Sequence, residues 1–161
     1  MNNSPTTFQH PFLAGMDARH LQIVLHGAKE QQFQEGDIIF REGDPANTLY
    51  LIEDGQVQLD TTSAGSGTTT IQTLGAGDVL GWSWLFPPFA WHFRAQATQP
   101  TRAICCDGGH LLVQAEENPT FGYDVMRRIS QLVIHRLQAT RKKLIKEQSL
   151  LRQATAAADN D

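Results

Sequence analysis

From Phe33 to Asp78 the chain is cut into short apolar segments, each closed by a glycine-centred turn. This spacing constrains the fold more than any other feature. The segments are Ile38-Ile39-Phe40, Leu49-Tyr50-Leu51-Ile52, Val57-Gln58-Leu59 and Ile71-Gln72-Thr73-Leu74. The turns are Glu35-Gly36-Asp37, Glu42-Gly43-Asp44-Pro45, Glu53-Asp54-Gly55 and Gly75-Ala76-Gly77-Asp78. Short strands at roughly 8–12-residue spacing with glycine-rich turns predict an all-β sandwich or barrel. Two more strands are expected over Arg94 to Thr98 and Arg102 to Cys106. The stretch Ser63 to Thr68 is small and flexible, an exposed hairpin tip. It lacks the lysine and the following helix start that a phosphate cradle needs.

Helical patterning flanks this core. Asp17 can cap a short helix over Ala18 to Ala28, with Leu21, Val24 and Leu25 on one face and Gly27 weakening its end. A second short helix is expected over Gly109 to Glu116. Asn118 as cap with Pro119 at the first helical position then starts a long helix reaching about Arg152. Leu137, Leu144 and Leu151 recur at heptad spacing, which implies a seam against another helix, although Thr140 and Glu147 also face it. Residues 1–11 are expected as a disordered N-terminal segment and 154–161 as a disordered tail, with a β-domain over 12–118 and the long helix over 119–153.

Composition narrows the function classes. At 161 residues the chain suits one domain, and 40% hydrophobic with 19% charged residues is ordinary for a soluble globular protein. The two cysteines, Cys105 and Cys106, are adjacent; strand neighbours point to opposite faces, so reduced, partly buried thiols are expected. No apolar run approaches the ~18–20 residues that cross a bilayer, and no secretion signal is present, so a cytoplasmic location is expected. The six histidines are scattered, which argues against a metal-dependent enzyme of cupin type. No Gly-x-Ser-x-Gly elbow or Cys/His pairing stands out, and the expectation is a non-enzyme. A formal charge of -4 gives no global field for nucleic acid.

All three tryptophans lie between Trp82 and Trp91, in Gly81-Trp82-Ser83-Trp84-Leu85-Phe86-Pro87-Pro88-Phe89-Ala90-Trp91-His92-Phe93. Immediately before it, Gly77-Asp78-Val79-Leu80-Gly81 joins two other stretches in a familiar pattern: Phe33-Gln34-Glu35-Gly36-Asp37-Ile38-Ile39-Phe40-Arg41-Glu42-Gly43-Asp44-Pro45 and Leu49-Tyr50-Leu51-Ile52-Glu53-Asp54-Gly55-Gln56-Val57. With these residues the chain from Phe12 to about Leu144 resembles the cyclic nucleotide-binding domain family, in particular the sensor half of Crp/Fnr-type bacterial regulators. The resemblance implies a double-stranded β-helix (jelly roll) with an N-terminal helix and a long C-terminal dimerisation helix.

In that family a short helix after the last glycine holds the cyclic phosphate on backbone N–H groups, a glutamate binds the ribose hydroxyl, and an arginine pairs with the phosphate. The resemblance implies cyclic AMP or cyclic GMP as ligand. Carried over residue by residue, the opening glycine is Gly81, followed by Trp82 and Ser83, and the glutamate position is Trp82. The arginine position falls on Trp91 or His92, with Arg94 just beyond. Thr140 matches the threonine that contacts adenine. Losing the arginine and the glutamate should remove roughly 2–5 kcal/mol of binding, moving a micromolar site toward millimolar. The aromatic side chains either fill the ligand hollow and pack there, or line a pocket for a flat aromatic ligand. No cofactor is called for; haem, with His92 as its axial ligand, is discounted because a lone histidine beside aromatics is ordinarily packed or exposed.

Full-length regulators of the family carry a helix-turn-helix after the long helix, whereas here the residues after Arg152 are rich in Ala and Asp. Direct, sequence-specific DNA binding is therefore not expected. Arg141, Lys142, Lys143, Lys146 and Arg152 read as a solvated helix surface that complements the helix dipole. Two functions remain open. One is a sensor dimerised through 119–153 that binds a small ligand and signals to a protein partner. The other is an interaction module whose pocket is filled by its own aromatics.

Overall fold

The computed structural model describes residues 9–65 and 67–160. The chain divides into two compact units, Met1–Asp124 and Val125–Asp161. Among the described residues the first unit holds eight antiparallel strands: β1 (Lys29–Phe33), β2 (Ile38–Phe40), β3 (Thr48–Asp54), β4 (Gln56–Ser63), β5 (Gly67–Gly75), β6 (Val79–Leu80), β7 (Arg94–Ala97) and β8 (Thr101–Asp107). They form two four-stranded sheets, ordered β1-β8-β3-β6 and β2-β7-β4-β5. This is the expected jelly roll. Every expected apolar segment lies in a strand, and every expected glycine turn falls at a strand junction, with Glu53, Asp54 and Gly75 still part of the strands they end.

The core follows from alternation. On β4, Val57 and Leu59 are buried while Gln56 and Gln58 are only half-buried; on β7, Ala95 and Ala97 are buried between half-buried Arg94 and Gln96. The register pairs Val57 with Ala97 and Leu59 with Ala95, so small alanines oppose larger aliphatics across the ladder. β3 departs from alternation: Leu49 through Ile52 are all buried, as befits an interior strand covered on both faces. The hairpin between β4 and β5 closes with Ser63 opposite Gly67; of the expected tip, Ser66 lies outside the described residues.

The helices begin where their caps predict. α1 (Ala18–Leu25) starts at Asp17, whose Oδ1 accepts from Arg19 N–H at 2.8 Å. It stops three residues short of the expected Ala28, just before Gly27 at φ +70°. α2 (Gly108–Glu117) is capped by Asp107, which accepts from His110 N–H at 3.1 Å. α3 (Pro119–Asp159) is capped by Asn118, whose Oδ1 accepts from Phe121 N–H at 3.3 Å. At the start of α3, Asp124 Oδ2 meets His20 Nδ1 of α1 at 2.9 Å, and Phe121 sits edge-on to the His20 ring.

Both expected disordered ends need correction where they are described. Residues 1–8 lie outside the described residues, but His10 is buried and Pro11–Leu13 form a 3₁₀ turn. The His10 imidazole lies 3.1 Å from both Ile52 O and Phe12 N, which ties this segment to β3. At the other end α3 continues through Asp159, so most of the expected tail is helical. Alanine at positions 154 and 156–158 is the reason, since it has the highest helix propensity and no proline or glycine intervenes. Among the described residues no helix is long and apolar enough to cross a membrane.

Candidate functional site

The segment between β6 and β7 is the site that the sequence singled out. It leaves β6 through Gly81, whose φ of +89° is a left-handed conformation that residues with a Cβ rarely adopt. Where the resemblance implies a phosphate-binding helix, only a three-residue 3₁₀ turn, Ser83–Leu85, follows. A turn this short has almost no aligned peptide dipole to offer an anion. Trp82 precedes the turn and is half-buried. Trp84 is 2% exposed; its Nε1–H donates to Gly81 O at 2.9 Å, closing the turn on itself. Its ring lies against α2, because a Cβ added at Gly108 would come within 2.6 Å of Trp84 Cγ.

The far arm returns beside the Gly43–Ala46 turn. Gly43 N–H donates to Trp91 O at 2.8 Å, Trp91 N–H to Asp44 O at 2.9 Å, and Ala46 N–H to Phe89 O at 2.8 Å. This zipper fixes where the Trp91 side chain must go. Its indole is 3% exposed and stacks on Phe40, with ring centroids 3.8 Å apart and planes 9° from parallel. Tyr50 and Phe93 flank Phe40 at 6.2 and 6.0 Å, completing an aromatic cluster. The indole edge reaches Gly81: an added Cβ there would lie 2.6 Å from Trp91 Cη2, 2.8 Å from Cζ3 and 3.0 Å from Thr48 O. Trp91 therefore occupies the volume beside the opening glycine.

The remaining polar candidates are committed elsewhere or only loosely held. Arg94 forms a bidentate pair with Asp60, Nε to Oδ1 and Nη2 to Oδ2, each 2.9 Å. The Asp60 side chain is 1% exposed and that of Arg94 34%, so the guanidinium serves as counter-ion to a buried carboxylate. The hydrogen bond to Asp60 raises the guanidinium pKa above its ordinary value. His92 is exposed, and its Nδ1 lies 3.4 Å from Oγ of buried Ser83. Thr140 is an exposed residue of α3 in the second unit. The structure thus brings Gly81, Ser83, Trp91 and His92 together and draws Arg94 into a separate pair.

Two residues of this arrangement were missed in the sequence. Phe40, the stacking partner of Trp91, reads there as one more apolar strand residue. Asp60 left a clearer signal, a lone carboxylate directly after the apolar stretch of β4. Clefts on the first unit that lie apart from the cassette include one of 410 Å³ beside His10, Leu13 and Leu21, and one of 340 Å³ beside Ile52, Glu53 and Arg102. Among the described residues no group of three or more His, Cys, Asp or Glu side chains gathers for a metal ion.

An eight-stranded jelly roll with a turn-and-arm cassette between β6 and β7, followed by two helices, is a ligand-binding regulatory architecture. Residues 30–118 match the cyclic nucleotide-binding domain family, and the chain belongs to that family. A crystal structure of a putative cyclic nucleotide-binding protein from Geobacter metallireducens superposes with a TM-score of 0.73 at 28% identity, covering 80% of this chain and 92% of the other. The cyclic AMP receptor protein of Thermus thermophilus is 25% identical over 140 residues, 87% of this chain and 59% of that protein. A putative potassium channel protein of Rhodopseudomonas palustris is 24% identical over 123 residues, 76% of this chain and 28% of the channel. The chain thus spans less than two thirds of the length of these curated relatives.

Proposed function

We propose that this chain is a non-catalytic, cytoplasmic regulatory module of the cyclic nucleotide-binding fold whose phosphate subsite is filled by its own Trp91. The observation that carries this reading is the indole stacked on Phe40 and abutting Gly81, where the resemblance implies a cyclic phosphate. Three further points support it. Neither of the residues that match the arginine position, Trp91 or His92, carries a guanidinium, the turn after Gly81 is too short to act as an anion-binding helix, and Arg94 is engaged by Asp60. Isothermal titration with cyclic AMP, cyclic GMP and cyclic di-GMP should give no binding heat below millimolar ligand. Micromolar binding of any of them overturns the proposal.

A second reading keeps a small-molecule ligand, a cyclic nucleotide or a flat aromatic compound, which would displace the indole and rest near Trp82, Ser83 and His92. It is favoured by the family match across the whole roll and by the polar Ser83–His92 pair beside Gly81. A ligand of this kind would move Trp91 off Phe40, so tryptophan emission would shift on binding; emission unmoved by a metabolite library would reject it.

In both readings the output runs through α3 as a homodimer and on to a protein partner, without direct DNA contact. Leu137, Leu144 and Leu151 support this, being spaced by heptads and 67%, 55% and 68% exposed in the single chain. Light scattering is expected to return a dimer mass, and a monomer mass at all concentrations rejects that part.

A further inference from the structure

On the first unit, two of the scattered histidines come together. His26 follows the last turn of α1 and His110 lies in the first turn of α2; their ring centroids are 5.2 Å apart with planes tilted by 38°. Nε2 of His110 is buried and has no hydrogen-bond partner among the described residues. Native interiors rarely leave such a nitrogen unmet, and where they do, an ion or a water commonly completes it. The two rings meet without a hydrogen bond to this nitrogen.

We propose that His26 and His110 form a two-histidine site for a divalent transition-metal ion of the zinc class, clipping the end of α1 to the start of α2. The spacing fits. Two imidazoles bound to one tetrahedral ion at about 2.0 Å per bond hold their ring centroids roughly 5 Å apart. Imidazole nitrogen is a good donor for zinc, nickel and copper and a poor one for magnesium, so the site selects by chemistry rather than by charge. His26 is exposed, which gives an ion a route to the buried nitrogen of His110. Among the described residues no third side chain of metal-ligand type joins a cluster, so water completes the coordination and the ion exchanges readily.

The probe is zinc added to the metal-free full chain, followed by titration calorimetry and thermal melting, with magnesium as the control. The expected result is one zinc per chain, a rise in melting temperature with zinc, and no response to magnesium. His26→Gln, at an exposed position, should fold as the parent does and weaken zinc binding by about tenfold or more. His110→Gln should do the same, and its melt without metal reports whether the change disturbs folding. Absence of zinc binding at millimolar metal overturns the proposal, and so does a His26→Gln chain that binds zinc as tightly as the parent.

Discussion

Changing Gly81 to alanine tests the aromatic plug most directly. Gly81 sits at φ +89°, and the new Cβ would lie 2.6 Å from Trp91 Cη2 and 2.8 Å from Cζ3. Two costs are superposed. Holding a residue with a side chain in the left-handed region costs about 1–2 kcal/mol. Forcing a methyl group against a ring pinned between the Gly43–Ala46 turn and Phe40 costs about 1–3 kcal/mol more. Trp91→Ala alone removes a buried ring, a loss of about 3–5 kcal/mol. Only the steric cost depends on the indole. The backbone cost and the 3.0 Å approach to Thr48 O are present with or without Trp91 and cancel in the comparison. The double variant should therefore be about 1–3 kcal/mol more stable than the two single changes sum to. Urea unfolding followed by far-ultraviolet circular dichroism measures this without relying on the deleted fluorophore. Additivity to within about 0.5 kcal/mol would show that the ring does not abut Gly81, and the reasoning about the plug would fail with it.

Acidification should loosen the N-terminal segment. Nδ1 of His10 accepts from Phe12 N–H, so the ring proton is on Nε2 and donates to Ile52 O, and a second proton would oppose Phe12 N–H. Burial lowers the His10 pKa below its ordinary 6.5, so the unfolded chain takes up the proton first as pH falls. Its contribution is complete above 6.5 and is lost as pH falls through the lowered folded value; a His10→Gln chain with the same pH slope of stability would contradict this. Burial also pushes the Cys105 thiol up to about 11 and that of Cys106 to about 12, so both should label slowly with iodoacetamide in the native state and quickly in urea; fast native labelling would refute it. Arg94→Met strands the buried Asp60 carboxylate and should cost about 2–4 kcal/mol in urea unfolding; a loss under about 0.5 kcal/mol would mean that the pair does not hold that carboxylate.

The roll was legible because its determinants are local. Each turn cluster needs glycine or an acidic residue at one place, and each strand needs a few apolar residues between, so Ile38-Ile39-Phe40 and Val57-Gln58-Leu59 declare themselves in sequence order. The caps Asp17 and Asn118 were equally readable, because a cap is set by residues adjacent in the chain. The cassette was legible as an anomaly and no further. The stacking of Trp91 on Phe40 joins positions that the pairing of Phe89–Trp91 with the Gly43–Ala46 turn brings together, and nothing in either local sequence says which aromatic meets which. Arg94 shows the same limit. Its partner Asp60 sits directly opposite it on β4, a pairing fixed by register between two strands far apart in the chain. The end of α3 was misjudged for another reason: an alanine-rich stretch reads as fraying when no tertiary contact is foreseen, yet it extends a helix that is already nucleated.

Once the register is fixed, the cassette can be weighed as a competition for one volume. Gly81 must be left-handed to turn the chain out of β6, whatever lies beside it, and its missing side chain leaves a hollow. A cyclic phosphate would need to be met there by backbone N–H groups and a guanidinium. An indole needs only to be covered, and Phe40, Thr48 and Gly81 itself cover it. Burying a tryptophan removes ~150–250 Å² from water, worth about 4–6 kcal/mol at roughly 25 cal/mol per Å². Any ligand that takes this place must first expel the ring. At about 1.4 kcal/mol per tenfold, that expulsion alone weakens binding by roughly a thousandfold or more. The loss of the arginine and the presence of the Trp91 ring in this volume therefore act in the same direction. Restoring a guanidinium while leaving the aromatic ring in place should regain little affinity; Trp91→Arg, which does both at once, is the change expected to move cyclic nucleotide binding furthest.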